Sequence, residues 1–195
     1  MTVAADRREL IADTALDVIA SDGIRALTHR AVDRRLDLPL GSTSYYFRTR
    51  RDLLTAAVTH LTACSRTRFD SMGSGPVVEP SAAARSIAHY LDRLIAERER
   101  DVRARLALAT EFTHDDEMRT ALASSLFSHT DALSLMRTLA TDDPERNAAG
   151  LVMLCEGVVF DRTVGARTGP PPGTPASVAT LSATIETFLR GAARL

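Results

Sequence analysis

Residues 28–54 constrain the fold more than any other part of the chain. Thr28 is a good N-cap because its hydroxyl can accept from the free amides of a first helical turn, and apolar residues then follow at helical spacing. Residues 37–41, Asp-Leu-Pro-Leu-Gly, must turn because a proline cannot continue the preceding helix. A second short helix is predicted over residues 41–47, and a long one begins near Arg50. This order predicts a helix-turn-helix.

The second short helix carries a row of hydroxyl groups. Five consecutive residues present them, namely Ser42, Thr43, Ser44, Tyr45 and Tyr46. Phe47, which follows, is apolar and is expected to anchor the helix in the core. Hydroxyls of this kind donate to phosphate oxygens and to base edges, so the helix is a candidate for DNA contact.

Basic charge is concentrated in the same part of the chain. Residues 25–51 contain seven arginines and two aspartates, a local balance of +5 in a chain whose formal net charge is −1. A DNA duplex attracts such a patch through its phosphates and through counterion release. The two aspartates, Asp33 and Asp37, add negative charge beside the second short helix.

From Arg7 to Leu54 the chain resembles the DNA-binding domain of TetR-family transcriptional regulators. The resemblance is carried by the pattern Gly-x-x-x-x-Tyr-Phe-x-x-[basic]-x-Asp-Leu-Leu, which begins at Gly41 directly after the turn. Departures from the commonest family pattern occur at Asp33, Asp37, Thr43, Ser44 and Arg50, where Ala, Gly, Leu, Tyr and Lys are usual. Arg50 keeps the usual charge, and the Thr-Ser pair keeps hydrogen-bonding capacity.

The resemblance implies roles for single residues. The groove-facing residues would be Thr43, Ser44 and Tyr45, and the phosphate-binding residues Thr28, Tyr46 and Arg50. Arg30 would reach a base or a phosphate. The full set of predicted DNA-binding residues is Thr28, Arg30, Gly41, Ser42, Thr43, Ser44, Tyr45, Tyr46 and Arg50. The predicted partner is double-stranded DNA with a palindromic operator, whose half-sites lie about 34 Å, or a multiple of that distance, apart.

The remainder of the chain predicts helices. Ala, Leu and Arg dominate, Trp is absent, and runs typical of strands are few. Helices are predicted over about 6–21, 50–71, 81–101, 102–113, 116–140, 144–164 and from 175 onward, with breaks at 72–80 and 165–172. The expected fold class is all-α. A three-helix helix-turn-helix DNA-binding domain would occupy residues 1–50, and a helical ligand-binding and dimerisation domain residues 51–195.

The last two predicted helices are unusually apolar. Residues 151–160 are apolar on most sides of a helix, and the terminal helix adds an apolar stripe from Val178 to Ala192. Two copies of this helix pair would form a four-helix interface with two-fold symmetry. The family resemblance implies the same homodimer. The alternative is a stripe that packs only within its own chain.

A ligand pocket in the C-terminal core is also implied by the resemblance. Its candidate residues are Tyr90, Leu108, Glu111, Phe112, Phe127, Met153, Glu156 and Phe160, any of which could equally be ordinary core. Burial of an unpaired carboxylate is costly, so the two acids need either a polar or cationic ligand group or an internal partner such as Arg105.

Other classes of function find little support. The sequence has no catalytic constellation, phosphate-binding loop or zinc-type spacing, so we expect neither an enzyme nor a cofactor. The Glu-x-x-His spacing of Glu111 and His114 occurs once, whereas di-iron bundles use two such motifs and two further Glu residues. The two cysteines suit a reducing cytoplasm, and the most apolar run, residues 151–160, is too short to span a bilayer.

The sequence therefore predicts a cytoplasmic, dimeric, sequence-specific DNA-binding regulator. Its expected mode is repression that ends when a small molecule binds. The main alternative is a TetR-like ligand- or protein-binding module without DNA binding, for which Asp33 and Asp37 leave room. A metal-dependent helical enzyme would need metal ligands beyond Glu111 and His114.

Overall fold

A computed structural model describes residues 3–70, 79–123 and 125–193 of the chain. Within them lie ten α-helices, one 3₁₀ turn at Ile24–Ala26 and no β-strand, so the all-α prediction is confirmed. The helices are α1 (Val3–Asp22), α2 (His29–Arg35), α3 (Ser42–Tyr46), α4 (Arg50–Asp70), α5 (Pro80–Glu97), α6 (Glu99–Glu111), α7 (Asp116–Ala123), α8 (His129–Thr138), α9 (Pro144–Thr163) and α10 (Pro175–Ala192).

Three predicted helix starts are confirmed by their caps. The side chains of Thr28, Asp143 and Thr174 each accept a hydrogen bond from the backbone amide three residues later. Pro144 and Pro175 occupy the first turns of α9 and α10, where a missing N–H costs nothing. The ends of these helices are therefore fixed by local chemistry.

The single helix predicted over residues 116–140 is wrong. Two helices, α7 and α8, occupy this part of the chain. Ser128 is the N-cap of α8 and accepts from the amide of Asp131 at 3.1 Å. Ser125 is buried and accepts from Nε of Arg105 at 3.0 Å. These serines offer hydrogen bonds that compete with helix continuation. The predicted break at 72–80 lies mostly outside the described residues.

The chain divides into two compact units. Unit 1 contains Met1–Ser71 and Arg103–Leu126, and unit 2 contains Met72–Val102 and Phe127–Leu195. Unit 1 therefore joins α1 to α4 with most of α6 and with α7. The division of the chain by function, into a DNA-binding domain of residues 1–50 and a ligand-binding and dimerisation domain of residues 51–195, stays a prediction.

Unit 1 has one apolar core beneath the helix-turn-helix. Its fully buried large side chains are Ile11, Leu16, Ile19, Leu27, Leu53, Leu61, Leu108 and Leu122. Phe47 joins this core immediately after α3, as the sequence predicted. Each such side chain contributes about 1.5–3 kcal/mol when it is removed from water, so the core holds α2 and the start of α4 against α1.

Unit 2 is built on the packing of α10 against α5 and of α9 against α8. Two buried polar side chains fix the segment between α9 and α10. The carboxylate of Asp92 accepts from the amide of Gly173 at 3.1 Å, and Arg162 donates to the carbonyl of Pro170 and, at 3.0 Å, to Ser177. This polar pairing satisfies groups that would otherwise be costly to bury.

Candidate nucleic-acid interface

Helix α2 holds the short helix α3 at both ends. Asp33 of α2 is fully buried, and its carboxylate accepts from the amide of Gly41 at 2.8 Å, the amide of Thr43 at 2.8 Å and the hydroxyl of Thr43 at 2.6 Å. One turn earlier on α2, Nε2 of His29 donates to the carbonyl of Phe47 at 2.7 Å. The first contact lies at the start of α3 and the second directly after its end.

Asp33 remains a carboxylate in this setting. Burial by itself would raise the pKa of Asp33, but hydrogen bonds from the side chain and amide of Thr43 and from the amide of Gly41 outweigh it and lower the pKa below 3.8. The charge of His29 acts in the same direction. Of the two negative charges that the sequence places beside α3, that of Asp33 is therefore inside the fold, and that of Asp37 is exposed.

Several predicted DNA-binding residues on or beside α2 and α3 contribute to the exposed surface of unit 1. Thr28, Arg30, Gly41, Ser44 and Tyr45 are exposed, and 82% of Tyr45 is accessible. The hydroxyl of Thr28 accepts from a backbone amide as the N-cap of α2, while its own hydrogen can still donate to a phosphate oxygen. The side chains of these residues are therefore accessible to another molecule.

Two predicted residues are half-buried and lie next to this surface. The hydroxyl of Ser42 donates to the carbonyl of Pro39 at 2.6 Å, which fixes the turn before α3. The ring of Tyr46 lies edge-on to that of Tyr45, with centroids 5.1 Å apart. The guanidinium of Arg8 lies 5.9 Å from the centroid of the Tyr46 ring. Arg8 thus joins the arginines close to α3.

The expectation that Thr43 faces the major groove is corrected. Thr43 is fully buried, and both its amide and its hydroxyl donate to Asp33. Its side chain points into the fold because α2 supplies the acceptor. Thr43 supports α3 and is not a DNA-facing residue.

That Arg50 binds a phosphate stays a prediction, and the structure gives its side chain, 41% of which is exposed, three internal partners. Its guanidinium donates to the carbonyl of Ile24 at 2.8 Å, to that of Leu27 at 3.4 Å and to the carboxylate of Glu111 at 2.9 Å. All three nitrogens are thus used within unit 1. Arg50 ties the first turn of α4 to the segment before α2 and to the end of α6.

The start of α4 explains another residue of the sequence pattern. The hydroxyl of Thr49 accepts from the amide of Asp52 at 3.0 Å, and the carboxylate of Asp52 accepts from the amide of Thr49 at 2.9 Å. This reciprocal arrangement is a capping box. Hydrogen bonds from the amide and hydroxyl of Thr49 lower the pKa of Asp52, so the box is intact near neutral pH.

Sequence reasoning missed Leu40. It is 74% exposed and lies directly before the N-cap of α3. Its position next to Gly41 could have identified it, because the residues at the start of a recognition helix are those that approach base edges. An exposed apolar side chain there suits contact with a thymine methyl group.

The predicted ligand-binding residues are divided between the two units. Leu108, Glu111 and Phe112 belong to unit 1, where Leu108 and Phe112 are ordinary core. Those in unit 2 are Tyr90, Phe127, Met153, Glu156 and Phe160. Within unit 2 the rings of Tyr90 and Phe127 are in contact, with centroids 6.1 Å apart.

Two members of that set are corrected. Met153 is 69% exposed and Phe160 is 54% exposed, so neither side chain lines an interior cavity of its own unit. Both lie on one face of α9, seven residues apart. Their apolar character suits a surface that another molecule covers. Glu156, on the same helix, is half-buried.

The carboxylate of Glu111 has an internal partner, which was one of the two alternatives that the sequence left open for this acid. The partner is Arg50, and Arg105 instead donates to the carbonyl of Leu122 at 2.9 Å and to Ser125. Among the described residues, no group of three His, Cys, Asp or Glu side chains is arranged to hold a metal ion.

Each unit also has an open cleft. In unit 1 a cleft of about 320 Å³ is lined by Arg50, Arg51, Leu54, Glu111, Phe112, His114 and Asp115. A larger cleft of about 660 Å³ lies between α5 and α10 of unit 2. The described part of the chain contains no helix of the length and apolarity that a bilayer crossing requires.

The architecture and the comparisons agree on the class of protein. The described residues are helical, and the first unit contains a helix-turn-helix, a motif that DNA-binding proteins use. The model of the tetracyclin repressor-like C-terminal domain matches residues 78–194, more than half of the chain. The chain therefore belongs to the TetR family of transcriptional regulators. No curated protein matches the sequence.

Solved structures share the fold over nearly the whole chain. A transcriptional regulator from Rhodococcus sp. Rha1 is 21% identical with a TM-score of 0.76, and the match covers 96% of this chain and 98% of that one. A regulator from Streptomyces coelicolor A3(2) is 24% identical with a TM-score of 0.67, covering 94% and 98%. The multidrug binding protein EbrR, complexed with ethidium, is 23% identical with a TM-score of 0.65, covering 93% and 98%.

Proposed function

We propose that the protein is a homodimeric repressor that binds a palindromic operator through α2 and α3 and leaves it when a small molecule binds. The observation that carries the proposal is the exposed surface formed by Thr28, Arg30, Ser44 and Tyr45 on a helix-turn-helix whose second helix is held at both ends. Its place of action would be the cytoplasm, where operator DNA is found.

The surface suggests a division of labour. Ser44 and Tyr45 are exposed on α3 and would contact base edges. Thr28 and Arg30, at the start of α2, and Tyr46 would contact phosphates. Phosphate contacts set affinity and register, whereas base contacts set the sequence preference. Substitutions in the two groups should therefore have different effects.

The dimer would form through the outward faces of α9 and α10. On α9, Met153 and Phe160 are exposed apolar side chains seven residues apart, and the exposed Val164 follows directly after the end of the helix. On α10 most of the exposed residues are small, such as Ala179, Ala183 and Gly191, and Arg190 is exposed in its last turn. Large apolar side chains on one helix and small residues on the next allow close packing of four helices about a two-fold axis.

The effector would act on the spacing of the two recognition helices. The hydrogen bonds of Arg50 connect the first turn of α4 to the carbonyls of Ile24 and Leu27 and to the carboxylate of Glu111. A displacement of α4 would therefore be transmitted to α2 and α3. A ligand that prefers the non-binding state by a factor of about one hundred supplies about 2.7 kcal/mol per site.

DNA binding is tested by fluorescence polarisation with duplexes selected from a random pool and with a scrambled duplex, at two salt concentrations. Tyr45→Phe removes only the hydroxyl that is proposed to contact a base edge, so it should change the preference among selected sites. Tyr90→Phe, the same change in unit 2, is the matched control. Arg30→Ala should weaken all duplexes similarly and reduce the salt slope by about 1. Arg93→Ala, at an exposed arginine of α5, should leave both unchanged.

Absence of any selected duplex would reject the proposal and leave the binding-module alternative. The effector is sought with the dyes that EbrR holds in its structures, ethidium, proflavin and malachite green, by calorimetry without DNA. A ligand-bound crystal form with an unchanged distance between recognition helices would contradict the proposed release mechanism.

The dimer is tested separately by sedimentation. Phe160→Glu places a charge in the proposed interface and should give monomers at concentrations at which the unsubstituted protein is dimeric. Thr110→Glu, at an exposed position of α6, is the control. The control should remain dimeric. If Phe160→Glu also remains dimeric, the exposed face of α9 does not form the interface.

A further inference from the structure

We propose that Asp33 is a positioning residue for DNA recognition, which fixes the first turn of α3 from inside the fold. This inference rests on the proposed DNA-binding function. It gives a role to an aspartate that the sequence alone counts against DNA binding. Asp33 would not touch DNA; it would act through Thr43 and Gly41 on the exposed Ser44 and Tyr45.

Helix α3 needs such support because it is very short. It spans five residues, Ser42–Tyr46, whereas isolated helices below about 12–15 residues are marginal in water. The turn before it contains two residues with positive φ, Asp37 at 51° and Gly41 at 94°. Local backbone preference therefore does not determine where α3 begins.

The carboxylate of Asp33 supplies what α3 lacks. The first amides of a helix have no acceptor within the helix. At the start of α3, the carboxylate of Asp33 accepts hydrogen bonds from the amides of Gly41 and Thr43. It also accepts the hydroxyl of Thr43, which makes the contact specific for a side chain with a donor. A negative charge at this end is favourable toward the helix dipole.

The other end of α3 is held by the same helix. His29 precedes Asp33 by one turn of α2 and donates to the carbonyl of Phe47. The buried ring of Phe47 fixes this end in the core of unit 1. With both ends tied to α2, the side chains of Ser44 and Tyr45 keep one orientation. A preorganised surface loses less conformational entropy when it binds a partner.

Charge and positioning predict opposite effects of neutralising Asp33. If Asp33 acted only as a negative charge near phosphates, Asp33→Asn would tighten DNA binding. If it positions α3, the same change weakens selective binding, because an NH₂ group then faces a backbone amide. Asp37→Asn is the matched control, since Asp37 is exposed on the same turn and asparagine tolerates its positive φ.

The experiment measures affinity for a duplex that the unsubstituted protein selects from a random pool, and for a scrambled duplex. We expect Asp33→Asn to weaken the selected duplex at least about tenfold, since a hydrogen bond to a charged acceptor is stronger than one to a neutral acceptor. The scrambled duplex should change less than about twofold, because its binding depends on attraction between its phosphates and exposed arginines, which the substitution leaves in place. Asp37→Asn should leave both unchanged or slightly tighter. Equal or tighter binding of the selected duplex by Asp33→Asn would overturn the proposal.

Thr43 gives a second pair of variants in case Asp33→Asn does not fold. Thr43→Val keeps the shape but loses the donor to Asp33, and it should weaken the selected duplex as well. Thr43→Ser keeps the donor and should restore selective binding. Because Thr43 is buried, neither change alters the surface that meets DNA. Equal affinities of the two variants would overturn the proposal.

Amide hydrogen exchange without DNA tests the positioning directly. In Asp33→Asn and Thr43→Val the amides of residues 43–47 should exchange faster, while those of α1 keep their protection. Unchanged exchange in α3 would overturn the positioning role, whatever the DNA results are. If these variants exchange faster but the unsubstituted protein selects no duplex, then Asp33 does support α3, and the proposed DNA-binding function is rejected.

Discussion

The bonds of Arg50 predict a clear order of stability among three variants. Arg50→Met removes the hydrogen bonds to Ile24 and Leu27 and the ion pair with Glu111. Glu111→Gln removes only the ion pair. Arg93→Met, on α5, removes an ion pair with Glu97 in which no backbone carbonyl takes part.

The magnitudes follow from geometry and exposure. The Arg50 and Glu111 side chains are 41% and 35% exposed, so their ion pair is screened and is worth about 0.2–1 kcal/mol. The bond to Ile24 is short at 2.8 Å, and a hydrogen bond from a charged donor contributes about 1.5–3 kcal/mol. The bond to Leu27, at 3.4 Å, adds less. We expect Arg50→Met to cost about 2–4 kcal/mol.

Urea denaturation of protein labelled with fluorotyrosine measures this cost in one unit at a time. The chain has three tyrosines, with Tyr45 and Tyr46 in unit 1 and Tyr90 in unit 2. Arg50→Met should lower the urea midpoint of the first two signals, while Glu111→Gln and Arg93→Met should each change stability by less than about 1 kcal/mol. A loss in Glu111→Gln as large as that in Arg50→Met would refute the assignment of most of the stability to the carbonyl bonds.

Three further predictions concern single groups. Gly41→Ala should destabilise unit 1 by about 1 kcal/mol in the same assay, because φ is +94° while an added Cβ meets no atom within 4 Å; an unchanged midpoint would contradict this. Burial, and then the charge of Glu156, raise the pKa of Cys155 to about 12, so its thiol should resist iodoacetamide in the folded protein. Mass spectrometry that finds labelling as fast as in urea would contradict it. Because the pKa of Asp33 is lowered from 3.8 in the folded protein, its carboxylate stabilises the fold fully above that pH, and the stabilisation is lost as pH falls through the folded pKa. The free energies of unfolding of the unsubstituted protein and of Asp33→Asn should therefore converge only below about pH 4.

Features that depend on neighbouring residues could be predicted from the sequence. The cap at Thr28 and the helix starts at 144 and 175 were expected from the sequence, and in the structure Thr28, Asp143 and Thr174 each cap a helix through an amide three residues later. The apolar role of Phe47 followed in the same way from one turn of helix. Local chemistry of this kind does not depend on the rest of the fold.

Features that depend on distant residues could not. Five hydroxyls in succession cover all sides of a five-residue helix, so at least one must face inward, but the sequence does not indicate which. Thr43 does so because Asp33, ten residues earlier, supplies its acceptor. Likewise, an apolar residue of α9 such as Met153 can face its own unit or a partner, and periodicity alone does not distinguish the two.

The charge of the recognition surface illustrates the same distinction. Counted along the sequence, residues 25–51 carry seven arginines against two aspartates. In the structure three of these arginines, Arg35, Arg50 and Arg51, are already in ion pairs, and Arg25, Arg30, Arg34 and Arg48 are exposed. Asp33 is buried among donors that offset its charge, which leaves Asp37 as the exposed acid of this stretch. Fewer arginines are available than the sequence suggests, but less negative charge opposes them, so the surface keeps a positive balance suited to a duplex.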